Sequence, residues 1–310
     1  MGDTGDNFSL YDTFEEMYSE NDRRVQAVIL GFICIAGIIG NCLVLFSFMT
    51  TRKLHNNTNI FVANLALSDL IVCLNLPITI IAIVSDDKWP LHEGICVVNS
   101  ILLIVCTGCS LYTMACIALL RYVYISNFKY KNVLKMHTCI FIVIFAWLFS
   151  TTCTVSPVLF GYVKMGYNRQ YHSCSWSTAG NQYSLIIAVV FYPIPFICIF
   201  LSYFSILRVV CRKAKNVQPA ASQLARNITN RNLAVTKNLF TVFCVFVMCG
   251  FPYSLLIILP DTDRVISYAA ILLMCNCFIN PIIYAFKHPE FKKVIPGMIM
   301  CKGIVTPNKD

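Results

Sequence analysis

The sequence is poor in charged residues and in histidine. Charged residues are 13% of the 310, whereas hydrophobic residues are 57% and mean hydropathy is +0.68. Soluble domains are nearer a quarter charged, so a soluble globular protein is excluded. Segments of about ten residues that alternate between apolar and polar are also missing, which argues against a membrane β-barrel. The five histidines lie in loops or at the ends of apolar runs, so no catalytic cluster is predicted at one depth: His55, His92, His137, His172 and His288.

Long apolar runs dominate what is present. Seven of them are long enough to cross about 30 Å of hydrocarbon as helices: 25–51, 60–85, 94–120, 138–163, 181–207, 238–260 and 265–286. The sequence therefore predicts an all-α membrane protein, a seven-transmembrane helix bundle. A basic segment after the seventh run, 286–293, predicts a short amphipathic helix on the inner leaflet. The expected division is an extracellular acidic tail (1–22), a seven-helix domain (23–287), and the amphipathic helix with a cytoplasmic tail (288–310).

The basic residues predict the orientation of the bundle. Seventeen of the 24 Lys and Arg residues fall in the loops and tail on one side of the membrane and six on the other. The basic side is expected to be cytoplasmic, which places the N-terminus outside. The net charge of +9 is thus a topology signal and does not indicate nucleic-acid binding. Asn7 begins an outside glycosylation motif.

Cysteine is abundant, with 17 residues, yet only Cys96 and Cys174 lie in segments predicted to face the outside. A disulfide between these two is expected in an oxidising compartment. The other cysteines fit the role of small apolar packing residues. Cys301, after the amphipathic segment, is a candidate for palmitoylation, with an unmodified thiol as the open alternative.

Asp69 is the single charged residue within the seven runs. A carboxylate at membrane depth is costly, and it indicates a functional site by default. Its expected partners, at similar depth, are Asn41, Ser110, Asn276 and Asn280. Their oxygens with that of Asp69 would suit a small hard cation such as sodium. A hydrated polar core without a stable ion remains the alternative.

The seventh run contains Pro281 next to Asn280. A proline inside a helix removes a backbone hydrogen bond and usually bends the helix. We therefore expect the seventh span to bend at Pro281, with Tyr284 near its cytoplasmic end.

A set of short motifs follows the spans in order. They are Gly40-Asn41, Leu65-Ala66-x-x-Asp69, Arg121-Tyr122, Trp147, the Cys96/Cys174 pair, Pro195 with Tyr203, Pro252, and Asn280-Pro281-x-x-Tyr284. Together, over about residues 23–301, they resemble the rhodopsin-like (class A) G-protein-coupled receptors. The end of the seventh span is most similar to the melatonin-receptor and opsin branch.

The resemblance implies a plasma-membrane receptor, not an enzyme, whose partners are an extracellular ligand and a heterotrimeric G protein. Coupling to the G protein would involve Arg121, Tyr122, Tyr203 and Tyr284. Sodium at Asp69 would be the only cofactor, with none bound covalently. By alignment, the ligand pocket would be lined by Leu103, Ile104, Thr107, Trp176, Ile187, Phe191, Tyr253, Ser254, Ile257, Ala270 and Met274.

Departures from the family pattern narrow these expectations. Leu120 and Asn232 stand where acidic residues usually restrain the arginine, which predicts raised resting activity. Gly250 replaces a tryptophan two residues before Pro252, so ligand coupling is expected to differ.

Two pocket positions bear on the ligand. Leu103 replaces the aspartate of amine receptors, and Met274 replaces the lysine that holds retinal in opsins. A neutral, lipid-like molecule or a peptide is therefore expected, and neither an amine nor retinal. The alternatives are a signalling-deficient or constitutively active relative and, less favoured, a membrane transporter.

Overall fold

The computed structural model describes residues 19–85, 88–126, 135–169, 171–176, 193–215, 223–256, 259 and 263–299, without the side chains of 210–233, 235, 263 and 264. The helices are α1 (Glu20–Thr50), α2 (Asn59–Val84), α3 (Glu93–Ser126), α4 (Met136–Leu159), α5 (Pro193–Lys215), α6 (Gln223–Leu256), α7 (Asp263–Met274), α8 (Asn276–Lys287) and α9 (Phe291–Ile299). A 3-10 turn, Arg52–Leu54, and a hairpin of β1 (Met165–Asn168) and β2 (Ser173–Trp176) complete the elements.

These elements form the predicted seven-transmembrane bundle. Six spans in the described residues are long and apolar enough to cross a membrane, the last of them made of α7 and α8 together. The fifth span is represented by the shorter apolar helix Pro193–Val209, because 177–192 lie outside the described residues.

The first helix begins earlier than its apolar run. The Ser19 hydroxyl accepts a hydrogen bond from the backbone N–H of Asp22 (3.1 Å), which caps the helix. Glu20 and Asp22 lie in the first turn, where negative charge is favourable. Helix α1 thus includes Glu20 and Asp22, which the sequence predicted to belong to the acidic tail.

Helix α3 lies at the centre of the bundle and packs against α2, α4 and α5. The main apolar cluster around it includes Leu65, Leu111, Ile199, Phe246 and Tyr284. A second, thiol-rich cluster, nearer α1, contains Leu30, Cys34, Val72, Cys73, Leu76, Cys106 and Cys277. Many large apolar side chains point outward instead, among them Phe141 (67% exposed) and Phe200 (64%), as expected of helices that face lipid.

An antiparallel hairpin that the sequence did not predict covers part of the bundle end that is predicted to face the outside. Its strand β2 carries Cys174, which forms the predicted disulfide with Cys96 at the start of α3. Tyr167 of β1 stacks on Trp89 with ring centroids 5.7 Å apart. The carbonyl of Ser85, which follows α2, accepts from the Tyr167 hydroxyl at 3.2 Å. The hairpin is thus bonded covalently to α3 and through hydrogen bonds to the end of α2.

The seventh span is interrupted at Cys275 and not at Pro281. Helix α7 ends at Met274 and α8 begins at Asn276, while Pro281 lies inside α8. The bend that the sequence predicts at Pro281 stays a prediction, because a helix can bend without ending. Proline leaves the carbonyl four residues earlier without its helical partner. For Pro281 this carbonyl belongs to Cys277, and another helix supplies its donor, as described below.

The amphipathic helix also starts later than predicted. Helix α8 runs on to Lys287, a short turn follows, and α9 covers Phe291–Ile299. Phe291 and Ile295 are buried against the bundle, whereas Lys292 and Lys293 are exposed. This division of apolar and basic faces suits a helix at the inner membrane surface.

Candidate functional site

Asp69 lies inside the bundle and contacts the seventh span directly. Its side chain is 5% exposed, and Asn280 Nδ2 donates a hydrogen bond to Asp69 Oδ2 at 2.9 Å. This bond joins residues 211 positions apart in the sequence and links α2 to α8. A buried carboxylate without such a donor would be strongly unfavourable.

Asn41 lies on the same side of the bundle but binds elsewhere. Its Nδ2 donates to the carbonyl oxygen of Cys277 at 2.7 Å and to that of Gly37 at 2.9 Å. The Cys277 carbonyl is the one that Pro281 leaves free. Gly40 permits the approach, because an added Cβ would lie 2.8 Å from Pro281 Cβ. The Gly40-Asn41 pair of α1 therefore fits and satisfies the proline-containing turn of α8.

The carbonyl that a second proline leaves free also accepts a hydrogen bond from a side chain of α1. Pro77 in α2 leaves the carbonyl of Cys73 without its helical donor. The Cys34 thiol of α1 donates to this carbonyl at 3.3 Å. Helix α1 thus supplies side-chain donors to the freed carbonyls of both neighbouring spans.

The other two expected partners of Asp69, Ser110 and Asn276, bond to other groups. Ser110 and Ser68 share a hydrogen bond of 2.7 Å between their hydroxyls. Asn276 Nδ2 donates to the carbonyl of Leu273 at 3.2 Å. Of the four partners expected for Asp69, then, Asn280 bonds to it directly, and the hydrogen bonds of Asn41, Ser110 and Asn276 go to other groups.

Three buried amide oxygens of the expected Asp69 partners have no hydrogen-bond partner among the described residues. They are Oδ1 of Asn41, Asn276 and Asn280. Each residue is 3% exposed or less, so bulk water does not satisfy these oxygens. Carboxylate and amide oxygens are the ligands that hard cations prefer. The described residues contain no cluster of three His, Cys, Asp or Glu side chains, so a transition-metal site is not indicated there.

The second buried charge is Arg121, near the C-terminal end of α3. It is 4% exposed, and its Nη2 donates to the hydroxyl of Thr58 at 2.8 Å. Its Nε atom has no partner within the described part of the chain. Leu120, the neighbour where the family pattern has an acid, is 8% exposed and packs against Phe61 and Leu239. The guanidinium is therefore held by a neutral hydroxyl.

A carboxylate lies on the other side of the loop that carries Thr58. Glu290 Oε2 accepts from Asn56 Nδ2 at 2.5 Å and from Asn59 Nδ2 at 2.7 Å. Asn56 Oδ1 in turn accepts from the backbone N–H groups of Thr58 (3.1 Å) and Asn59 (3.0 Å). These contacts join the start of α2 to the turn between α8 and α9.

His288 lies beneath this turn and is fully buried. Burial lowers its pKa from 6.5 to about 4, because a charged imidazolium would lose its hydration. The Glu290 carboxylate opposes this shift in pKa and the Arg121 guanidinium adds to it. Both charges thus act on the same ring.

The tyrosines expected to take part in coupling lie in the same half of the bundle as Arg121. Tyr203 is 6% exposed and packs on Phe240, with ring centroids 4.8 Å apart. Tyr284 is fully buried, and its hydroxyl has no hydrogen-bond partner in the described structure. Tyr122 is half-buried against the main apolar cluster. In this arrangement Arg121 hydrogen-bonds to Thr58 and not to these tyrosines.

The expected pocket residues are only partly described. Ile187, Phe191 and Ile257 lie outside the described residues, as do Asn7 and Cys301. Leu103 and Met274 pack against the thiol-rich cluster, and Ile104 and Trp176 pack against the main apolar cluster.

Two hydroxyl side chains of the expected pocket donate to their own helices. Thr107 donates to the Leu103 carbonyl at 2.8 Å and Ser254 to that of Phe251 at 2.9 Å. Tyr253 and Ala270 are half-buried. Both bonded hydroxyls are thus satisfied by their own helices, which leaves a mainly apolar lining.

Gly250 brings the sixth and seventh spans close together. A Cβ at this position would lie 3.4 Å from Leu273 Cδ1 and 3.6 Å from Phe246 Cε1. Leu273 and Phe246 are buried, at 6% and 4% exposure. The space next to Gly250 is therefore filled by side chains from α6 and α7. The side chain of Asn232, the other departure in α6, lies outside the described residues.

Some residues of the site were missed by sequence reasoning. Nothing in the sequence predicted the contacts of Thr58, Asn56, Asn59 and Glu290, because they join distant segments: Thr58 to Arg121 over 63 residues, and Asn56 and Asn59 to Glu290 over 234 and 231. Trp147, one of the motif residues, donates from its Nε1 to Asn64 Oδ1 at 2.9 Å, a contact that the sequence did not predict.

Comparisons with known proteins point in one direction. The sequence matches the family described as "7 transmembrane receptor (rhodopsin family)" over residues 40–284. Melatonin receptor type 1B-B of Danio rerio is 27% identical, covering 87% of this chain and 80% of the relative. "Rhodopsin, G0-coupled" of Mizuhopecten yessoensis is 28% identical, covering 89% and 72%. The crystal structure of squid rhodopsin is similar in fold, with a TM-score of 0.81 at 22% identity, covering 93% of this chain and 89% of that one.

Proposed function

Because this chain belongs to the rhodopsin family of seven-transmembrane receptors, we propose that it binds an extracellular ligand and then activates a heterotrimeric G protein. The ligand would lie in the outer half of the bundle and the G protein at the cytoplasmic end of α3. The plasma membrane, with the N-terminus outside, is the location that fits this function.

The burial of Arg121 is the observation that supports this proposal most directly. A guanidinium that is 4% exposed, with one nitrogen unpartnered in the described structure, is costly to keep inside a protein. The cost is understandable if a second arrangement of the bundle exposes the same group. A ligand that binds one arrangement better shifts the population toward it.

The test is a G-protein activation assay in cells that express the full chain. Small lipids, indoles and peptides are applied with a promiscuous G protein, and Arg121→Ala at matched surface expression is the control. We expect at least one class to activate the wild type and not the variant. Equal signals from wild type and variant under every condition would contradict the proposal and favour a signalling-deficient relative.

For the ligand we propose a neutral, mainly apolar small molecule or the apolar end of a peptide. The described lining supports this, since Leu103 and Met274 offer no charge and both pack on apolar neighbours. Some relatives are named rhodopsins or melanopsin, so a retinoid belongs in the panel. The thioether of Met274 cannot form an imine with retinal, which supports at most non-covalent binding of that molecule.

For Asp69 we propose a sodium ion as a ligand in the resting bundle. The three unpartnered amide oxygens of Asn41, Asn276 and Asn280 support this, because Asn280 contacts the carboxylate directly and Asn41 bonds to the carbonyl of Cys277, which follows Asn276. We expect the melting temperature of the purified protein to be higher in sodium chloride than in choline chloride. Asp69→Asn is expected to abolish this increase. Asn75→Ala, whose amide bonds only to its own helix, is the matched control and is expected to keep the increase. An increase that survives in Asp69→Asn would rule out this site.

A further inference from the structure

The restraint on Arg121 differs from an ion pair. In the described part of the chain no carboxylate pairs with Arg121, and the hydrogen bond of its Nη2 to the Thr58 hydroxyl holds it. Leu120 cannot replace that contact, because it packs into an apolar cluster with Phe61 and Leu239. A hydrogen bond from a charged donor is stronger than one between neutral groups. The Thr58 hydroxyl is thus the group whose removal would affect Arg121 most.

Thr58 is itself held in place by its neighbours. It precedes α2, and its backbone N–H donates to Asn56 Oδ1 at 3.1 Å. The same oxygen accepts from the N–H of Asn59 at 3.0 Å, which fixes the first turn of the helix. Asn56 therefore holds the backbone from which the Thr58 hydroxyl reaches Arg121.

Asn56 is bound in turn to the far end of the chain. Glu290 Oε2 accepts from the side-chain amides of Asn56 and Asn59 at 2.5 and 2.7 Å. Glu290 lies in the turn before α9, and its backbone N–H points to Nδ1 of buried His288 at 3.4 Å. Hydrogen bonds to an ionised acceptor are among the stronger ones in proteins. A continuous path of hydrogen bonds thus runs from Arg121 to the start of α9.

We propose that Thr58, Asn56 and Glu290 form the resting restraint on Arg121 in this receptor, in place of the acidic residues that Leu120 and Asn232 replace. The inference rests on the proposed function, because it assigns the regulation of the residue that would contact the G protein. All three are positioning residues. Asn56 acts through Thr58, and Glu290 acts through Asn56 and, at longer range, through its charge on Arg121.

The restraint has a consequence for activation. Arg121 must leave Thr58 to become exposed, so the Arg121–Thr58 bond exists only in the resting arrangement. Removal of the acceptor destabilises that arrangement and leaves the other unaffected, which raises the active fraction without ligand. The raised resting activity expected from Leu120 and Asn232 is therefore counteracted in the wild type by Thr58.

The decisive comparison is Thr58→Val against Thr58→Ser. Valine keeps the shape of threonine and removes the hydroxyl, whereas serine keeps the hydroxyl. We expect Thr58→Val to raise ligand-independent G-protein activation about tenfold, which corresponds to about 1.4 kcal/mol, and Thr58→Ser to match the wild type. Thr50→Val is the control, since the Thr50 hydroxyl bonds only to Phe46 of its own helix. Activation is normalised to receptor at the cell surface.

Glu290 tests the distant end of the path. Glu290→Leu removes both amide contacts and is expected to raise activation in the same direction as Thr58→Val. Glu290→Gln keeps an acceptor oxygen and is expected to raise it less. In the double variant Thr58→Val with Arg121→Ala the gain should disappear, because the effect is exerted through Arg121.

A second measurement does not need the G protein. Hydrogen exchange of the purified full chain in nanodiscs is followed at residues 236–243, the cytoplasmic part of α6. Thr58→Val should speed exchange there and Thr58→Ser should not. If Thr58→Val matches wild type in exchange, the restraint is refuted, whatever the signalling result. If Thr58→Val speeds exchange but neither the wild type nor any variant activates a G protein, the proposed function is refuted and the restraint on Arg121 is supported.

Discussion

At the scale of single residues, His288 shows how burial decides protonation. Its ring is fully buried next to Phe291, with centroids 5.1 Å apart, and its Nε2 has no partner among the described residues. Burial lowers its pKa to about 4. The folded protein therefore keeps this ring neutral at pH values where the unfolded chain, with a pKa of 6.5, already binds a proton.

This difference predicts a loss of stability on acidification. Between pH 6.5 and about 4 the unfolded state binds more protons at His288, so the free energy of unfolding falls as pH falls, by at most about 3 kcal/mol. Above pH 6.5 this residue contributes no pH dependence. His288→Asn keeps an acceptor for the turn but does not titrate. Melting temperatures of the variant should depend less on pH across this window than those of wild type.

The control for that experiment is His137→Asn, since His137 is exposed at the start of α4. Its melting curves should follow those of wild type at each pH. If the melting temperatures of wild type and His288→Asn changed with pH in parallel, His288 would not be the cause of the loss of stability at low pH.

Single residues also mark what sequence reasoning could reach. The cost of a carboxylate in a membrane pointed to Asp69, and an asparagine of the seventh span was among its expected partners. The partner of Arg121 could not be found in the same way. Thr58 is an ordinary residue in a loop, and only the folded arrangement brings it within 2.8 Å of the guanidinium.

At the scale of elements, the contact between α1 and α8 depends on the absence of a side chain. Gly40 lies against the Pro281 ring, whose atoms would be 2.8 and 3.0 Å from an added Cβ. The proline ring is rigid, so it cannot rotate away. The two helices must separate to accept any larger residue.

Gly40→Ala is therefore expected to destabilise the protein by about 1–3 kcal/mol through overpacking. Gly31→Ala, in the same helix, is the matched comparison, because nothing lies within 4 Å of its added Cβ. That variant should be neutral or more stable by up to about 1 kcal/mol, from helix propensity alone. Melting temperatures in nanodiscs measure both. A similar decrease for both variants would show that the Pro281 contact is not responsible.

The elements were predictable where hydropathy defines them and less so elsewhere. The spans α2 and α4 match their apolar runs to within a few residues. Helix α6 starts at Gln223, fifteen residues before its run, because a polar cytoplasmic extension can be helical without being apolar. The sequence did not predict the break at Cys275. At Pro281 the helix continues, and Asn41 of α1 supplies a donor to the carbonyl that the proline leaves free.

At the scale of the whole molecule, the orientation rests on the distribution of basic residues. The structure places Lys53, Lys237 and Lys292 on one end of the bundle's helices and the disulfide-bonded hairpin on the other. The charge asymmetry predicts that the hairpin end faces the outside. The number of spans and their order followed from the sequence, whereas the hydrogen-bonded path from Arg121 to Glu290 required the fold.

The orientation predicts which glycosylation motif is used. Three asparagines begin such motifs, Asn7, Asn56 and Asn227, and only Asn7 lies on the predicted outer side. Protein from mammalian cells should shift in electrophoretic mobility on treatment with an N-glycosidase. Asn7→Gln should abolish the shift, and Asn227→Gln should keep it. A mobility shift that is lost in Asn227→Gln would contradict the predicted orientation.

The burial of the thiols determines how this protein can be labelled. Among the described free cysteines only Cys42 is exposed, and Cys96 and Cys174, on the side predicted to face the outside, are joined in a disulfide. A membrane-impermeant maleimide added to intact cells will therefore find little native thiol on the outer surface. One cysteine introduced at exposed Lys88 can then carry a fluorophore that reports ligand entry, with every native cysteine left in place.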